Sequence, residues 1–153
     1  MPEGLDGNPN PIRTTERDAV LTAVADRVCT HGSNRLMVGI DSRSGAGKST
    51  FADELARLIS QRDRLTIRST TASFHRPRRE RLKRGATSAE GYYSDSHQLD
   101  RILNELLIPF RQGADDVLIA AFDEQSDTAL ETKINVDSSA VLVFDGPFLH
   151  RPE

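Results

Sequence analysis

Apolar positions along the chain follow two rhythms, one helical and one continuous, and these alternate. From Thr14 or Thr15, an N-cap residue type, Val20, Leu21, Val24 and Val28 recur at helical spacing until Gly32 stops the pattern, which predicts an amphipathic helix. Leu36 to Ile40 is a short apolar run bounded by polar residues and predicts a buried strand. After a glycine-containing turn, Phe51, Leu55, Leu58 and Ile59 resume the helical interval. Residues 36 to 60 therefore read as strand, loop and helix. Leu65 to Thr70 carries the β-branched content of a second strand. Leu99, Ile102, Leu103, Leu106 and Leu107 mark a further amphipathic helix that Pro109 is expected to end. Val117 to Phe122 reads as a strand, residues 132 to 136 as its hairpin return, and Val141 to Phe144 as a last buried strand.

Strands alternating with helical segments predict an α/β fold with a mainly parallel sheet flanked by helices, in a single domain over residues 14 to 153. Residues 1 to 13, with two glycines and three prolines, read as a flexible lead-in. The chain ends eight residues after Asp145, so the last strand is expected to lack a covering helix and the sequence reads as C-terminally incomplete.

Composition narrows the function classes. Twenty Lys plus Arg against 23 Asp plus Glu give a net charge of -3, which argues against a globally basic nucleic-acid binder. The lone Cys29 excludes an internal disulfide and a Cys-rich zinc site. No apolar run approaches the roughly 20 residues that span a bilayer, and Met1 to Pro11 lacks a secretion-signal pattern. A cytoplasmic protein without membrane or nucleic-acid partners is expected.

Ser42-Arg-Ser-Gly45-Ala46-Gly47-Lys48-Ser49-Thr50 carries the chemistry. It is a P-loop whose first glycine is replaced by Ser42. Gly45 and Gly47 allow backbone turns that aim consecutive N–H groups at phosphate oxygens, at the start of the following helix. Residues 45 to 50 are thus the nucleotide-binding set, with Lys48 reaching the β- and γ-phosphates, Ser49 a Mg²⁺ ligand and Thr50 an α-phosphate contact. The competing reading is a flexible turn of chance composition, but strand before and helix after supply the context the motif requires. Asp41 reads as an acceptor for loop backbone groups or as a metal ligand. Asp145, after four apolar residues, is the candidate acid beside the phosphate loop that holds Mg²⁺; the alternative is a turn-capping Asp paired with Gly146.

With this loop, Ser73-Phe74-His75-Arg76-Pro77-Arg78, Gly91-Tyr92-Tyr93-x-Asp95 and the ending from Asp145-Gly146 to Arg151-Pro-Glu153 in this order, residues 36 to 153 resemble the uridine kinase-like P-loop kinases. The resemblance implies ATP-dependent phosphoryl transfer to a hydroxyl of a small molecule, typically the 5′-hydroxyl of uridine or cytidine, with Mg²⁺ held by Ser49 and Asp145. It implies catalytic roles for Lys48 and Asp145 and substrate binding by His75, Arg78, Tyr93, Asp95, Phe122 and Asp123. Plainer readings stand beside these: packing for Tyr92 and Tyr93, an ordinary hydrogen-bonded imidazole for His75, and a solvated helix face for the six basic residues between 76 and 84. Two departures matter. Ala72 stands where the family carries a proton-accepting Asp, and the family's C-terminal third, with its arginine-bearing lid, has no counterpart here. The second function class is therefore a non-catalytic nucleotide-binding regulatory module.

Overall fold

A computed structural model describes residues 15–32 and 34–153; the N-terminal lead-in and Thr14 lie outside them. In chain order the elements are α1 (Thr15–Thr30), β1 (Leu36–Asp41), α2 (Lys48–Ser60) and β2 (Thr66–Thr70), followed by a 3₁₀ turn, Thr71–Phe74. Two short helices come next, α3 (Arg78–Arg81) and α4 (Ala89–Ser94). A continuous helical run then joins α5 (Leu99–Arg101), a π-type stretch (Ile102–Leu107) and α6 (Ile108–Gln112), before β3 (Asp116–Asp123), β4 (Thr128–Asn135) and β5 (Val141–Gly146).

Three strands form an all-parallel sheet in the order β1-β5-β2. One core joins α1 and α2 to one face of this sheet through Leu21, Ala25, Leu55, Ile59, Val141 and Val143. The other packs Ile67, Leu142 and Phe144 against Leu106, Phe110, Val117 and Leu118 from the 99–112 helical run and the β3–β4 hairpin. The alternation Val141, Val143 against Leu142, Phe144 feeds opposite cores because successive strand side chains point to opposite faces. Each fully buried Leu, Ile or Phe contributes about 1.5–3 kcal/mol.

Two expectations need correction. The last strand is not uncovered: β5 lies between β1 and β2, and all six of its residues are buried. Nor does Pro109 end its helix, which continues to Gln112. The wider π-type turns just before it accommodate the proline's missing N–H and its ring. β3 and β4 pair antiparallel, as a hairpin return does, in a two-stranded sheet separate from the parallel one, and the return strand starts at Thr128 rather than at residue 132. Among the described residues, no helix is long and apolar enough to cross a membrane.

Candidate active site

Parallel pairing of β1 with β5 sets Ile40 beside Asp145, so the loop leaving β1 and the acid ending β5 emerge side by side. Gly45 (φ 77°) and Gly47 (φ 86°) are left-handed, a conformation that disfavours a side chain. Gly47 is the N-cap of α2, and its first intrahelical bond runs from Phe51 N–H to Gly47 O at 3.0 Å. No side chain caps this helix, and its first turn contains no acidic residue. The N–H groups of Lys48, Ser49 and Thr50 have no acceptor within the helix itself, and an anion is what such an end attracts.

Asp145 is fully buried. Its Oδ2 accepts from the Ser49 hydroxyl at 2.7 Å. Its Oδ1 lies 2.9 Å from an Arg68 guanidinium nitrogen. Arg68 is itself held by Asp53 Oδ1 at 2.9 Å and by the carbonyls of Ser69 and Val143 at 2.9 and 3.0 Å. Burial of this carboxyl group is thus compensated by a hydrogen bond at Oδ2 and by the Arg68 charge at Oδ1, which has no hydrogen bond of its own. A hydroxyl and a carboxyl oxygen are hard donors, and a partial donor set of this kind suits Mg²⁺, which keeps waters and substrate phosphates as further ligands. Among the described residues no group of three or more His, Cys, Asp or Glu side chains could hold a metal on its own.

A cavity of about 280 Å³ opens here. Ser44, Lys48, Ser49 and Asp145 line it, together with Ala72, His75, Arg81, Ser96, His97, Glu124 and Tyr92 among others. His75 Nδ1 lies 3.3 Å from Glu124 Oε2, and the His75 and His97 rings stack with centroids 4.8 Å apart. Burial lowers the His75 pKa, opposed by Glu124 and reinforced by Arg81. For His97, burial, helped by His75, Arg151 and Arg81, brings the pKa down to about 3.

A larger open cleft, about 1030 Å³, adjoins the loop between Asp41–Ser44 and the 147–152 segment. Tyr92 spans the two spaces: its hydroxyl lies 2.7 Å from Ser44 Oγ, and its ring meets Phe148 edge-on. Asp41 Oδ2 accepts the Leu149 backbone N–H at 3.1 Å.

Of the expected substrate residues, only His75 shares the small cavity with Lys48 and Asp145. Tyr93 lines the larger cleft, with the Arg151 guanidinium 4.0 Å above its ring. Asp95 is buried and pairs with Arg84 at 2.9 Å and Lys83 at 3.4 Å, tying the basic segment to α4. Arg78 offers its backbone N–H to Asp127, while Asp123 accepts from Gln125 N–H and Ser126 Oγ and closes the hairpin turn. Phe122 is a core residue. Arg68, Glu124 and His97 were not singled out by the sequence pattern, and Tyr92, read there as a packing residue, lines both spaces. Only Arg68 left a signal, as a lone charge inside an otherwise uncharged strand run.

No protein-family model matches the sequence, and no curated protein matches it. Solved structures do. A possible uridine kinase from Bacillus stearothermophilus superposes with a TM-score of 0.80 at 19% identity, covering 90% of this chain and 74% of that one. A candidate fructose transport system kinase from Silicibacter sp. TM1040 gives 0.65 at 20% identity, covering 84% of this chain and 64% of that one. The fold is that of a P-loop kinase. The P-loop kinase fold places its phosphate loop at the C-terminal ends of parallel strands, where open α/β sheets bind their ligands.

Proposed function

We propose that this P-loop kinase fold transfers the ATP γ-phosphoryl group to a hydroxyl of a small molecule, with the 5′-hydroxyl of uridine or cytidine as the acceptor. One observation carries the reading: the uncapped, glycine-shaped start of α2 lies beside the hydrogen-bonded pair of Ser49 and the buried Asp145, at the edge of a cavity. The backbone N–H groups of residues 45 to 50 cradle the phosphates, and Lys48 places its charge on the transferred group. Ser49 and Asp145 would hold Mg²⁺, which would supply charge neutralisation at the phosphates when bound. Phosphoryl transfer through a loose transition state rests mainly on such positioning and charge stabilisation. Residues 14 to 153 act as one unit in this reading, and the lone Cys29 suits the cytoplasm.

Lys48→Ala is expected to remove most of the ATP affinity in calorimetric titrations with Mg²⁺, because a charge-assisted contact to phosphate is lost. Equal titration curves for the two proteins would refute nucleotide binding at this loop.

One observation favours a non-catalytic nucleotide-binding module instead. Ala72 contributes only a methyl group to the cavity wall. Uridine-dependent ADP formation by the unaltered chain separates the two readings; binding of ATP without turnover selects the module.

A further inference from the structure

A hydroxyl that attacks phosphorus must release its proton, and the small cavity contains few groups able to receive it. Ala72 has none. Asp145 already engages Ser49 and Arg68 through its two oxygens. His97 is pressed between burial and neighbouring positive charge and binds a proton too weakly. Glu124 is half exposed and leans on His75. His75 remains, and its surroundings suit a proton acceptor. Glu124 faces it from the hairpin turn, Arg81 from α3 and His97 from the segment after α4.

We propose that His75 is the general base toward the acceptor hydroxyl, with Glu124 as the residue that positions it. The assignment rests on the kinase reading above. The Glu124 carboxylate, 3.3 Å from Nδ1 without an aligned hydrogen bond, favours the proton on Nδ1 by its charge and so leaves the Nε2 lone pair to accept. As the acceptor oxygen bonds to the γ-phosphorus, its O–H bond breaks and the proton moves to Nε2. The bond from the γ-phosphorus to the bridging oxygen breaks, and ADP leaves with the electron pair. The imidazolium is stabilised by the Glu124 carboxylate and later returns its proton to water. Because burial and Arg81 keep the ring neutral near pH 7, the base is in its receptive form there.

The test uses the full chain with uridine, ATP and Mg²⁺. His75→Gln should lower kcat for uridine-dependent ADP formation by about 10²–10⁴ and leave the ATP Kd unchanged. Glu124→Gln should cost less, and should move the acid limb of the kcat profile to lower pH, since a carboxylate that raises the imidazole pKa is gone. Adding Ala72→Asp to His75→Gln should restore turnover and replace the imidazole limb with a carboxylate one. Wild-type turnover in His75→Gln, or an acid limb unmoved in Glu124→Gln, overturns the assignment alone. A wild-type chain that binds ATP and makes no ADP with uridine overturns the kinase reading together with it.

Discussion

Gly146 illustrates how closely single residues are fitted at the rim of the site. A Cβ built there would lie 2.3 Å from Thr71 Oγ1 and 2.8 Å from Thr71 Cβ. The Thr71 Cβ sits next to the backbone and cannot swing aside as the tip of a long side chain could. Gly146→Ala should therefore displace the 3₁₀ turn that carries Ala72 and cost about 1–3 kcal/mol, as overpacking does. The check is a denaturant unfolding curve, in which an unchanged midpoint would show that the turn yields freely. Asp145-Gly146, a common turn pair by composition, thus forms the end of a buried strand instead. A glycine is needed there because the Thr71 side chain occupies the space that a Cβ would take. Arg68 makes the matching point for charge, since the buried Asp145 carboxyl group has an arginine from the neighbouring strand at hand.

At the scale of elements, the segment between α4 and α5 buries Asp95, Ser96 and His97 together. It is pinned by Arg76 N–H to Ser96 O at 2.9 Å and Gln98 N–H to Phe74 O at 2.7 Å. These bonds bring His97 under His75 and fix the ring stack. A histidine whose folded pKa is lowered from 6.5 to about 3 binds fewer protons folded than unfolded across that interval. Its contribution to stability is complete above pH 6.5 and is lost as the pH falls toward 3. The slope is at most about 1.4 kcal/mol per pH unit. The lowered pKa of His75 acts in the same direction. Melting temperature should drop as buffers are taken from pH 7 to pH 4.5, and His97→Gln should flatten that dependence. An equally steep dependence in the variant would mean that other groups carry the acid sensitivity.

Across the whole molecule, chemistry and anchorage occupy opposite ends of the sheet. The phosphate loop and Asp145 stand where β1 and β5 end. Arg35 and Arg64 stand just before β1 and β2 begin. Arg35 donates to the carbonyls of Phe110, Ala114, Val136 and Asp137 at 2.6 to 2.9 Å, fastening α6 and the hairpin's exit to the sheet. Arg64 donates to Gly32, Asn34 and Ser139 carbonyls at 2.7 to 3.1 Å, fastening the exit of α1 to the start of β5. Replacement of either by Met should strand several carbonyls and cost about 1–3 kcal/mol. Calorimetry should still give the wild-type ATP affinity, because these clamps lie away from the phosphates. A large loss of ATP affinity in either variant would contradict that separation.

The sequence by itself determined what neighbouring residues settle among themselves. Helical spacing in α1 and α2, the apolar runs of β1 and β5, and the two left-handed glycines before Lys48 all act within a few positions, so their rhythm displays them. Asp145 was legible because an acid after an apolar run is a local pattern. Only the tertiary structure decided which distant groups meet. Ser49 and Asp145 stand 96 positions apart and bond because β5 enters the sheet beside β1. The same insertion made the last strand central and brought Arg68, from β2, onto the Asp145 carboxyl group. The pairing of His75 with Glu124 depends on where the hairpin packs, which no spacing records. Local backbone preference is written in consecutive residues, whereas a cavity wall is assembled by packing elements whose order in space differs from their order in the chain.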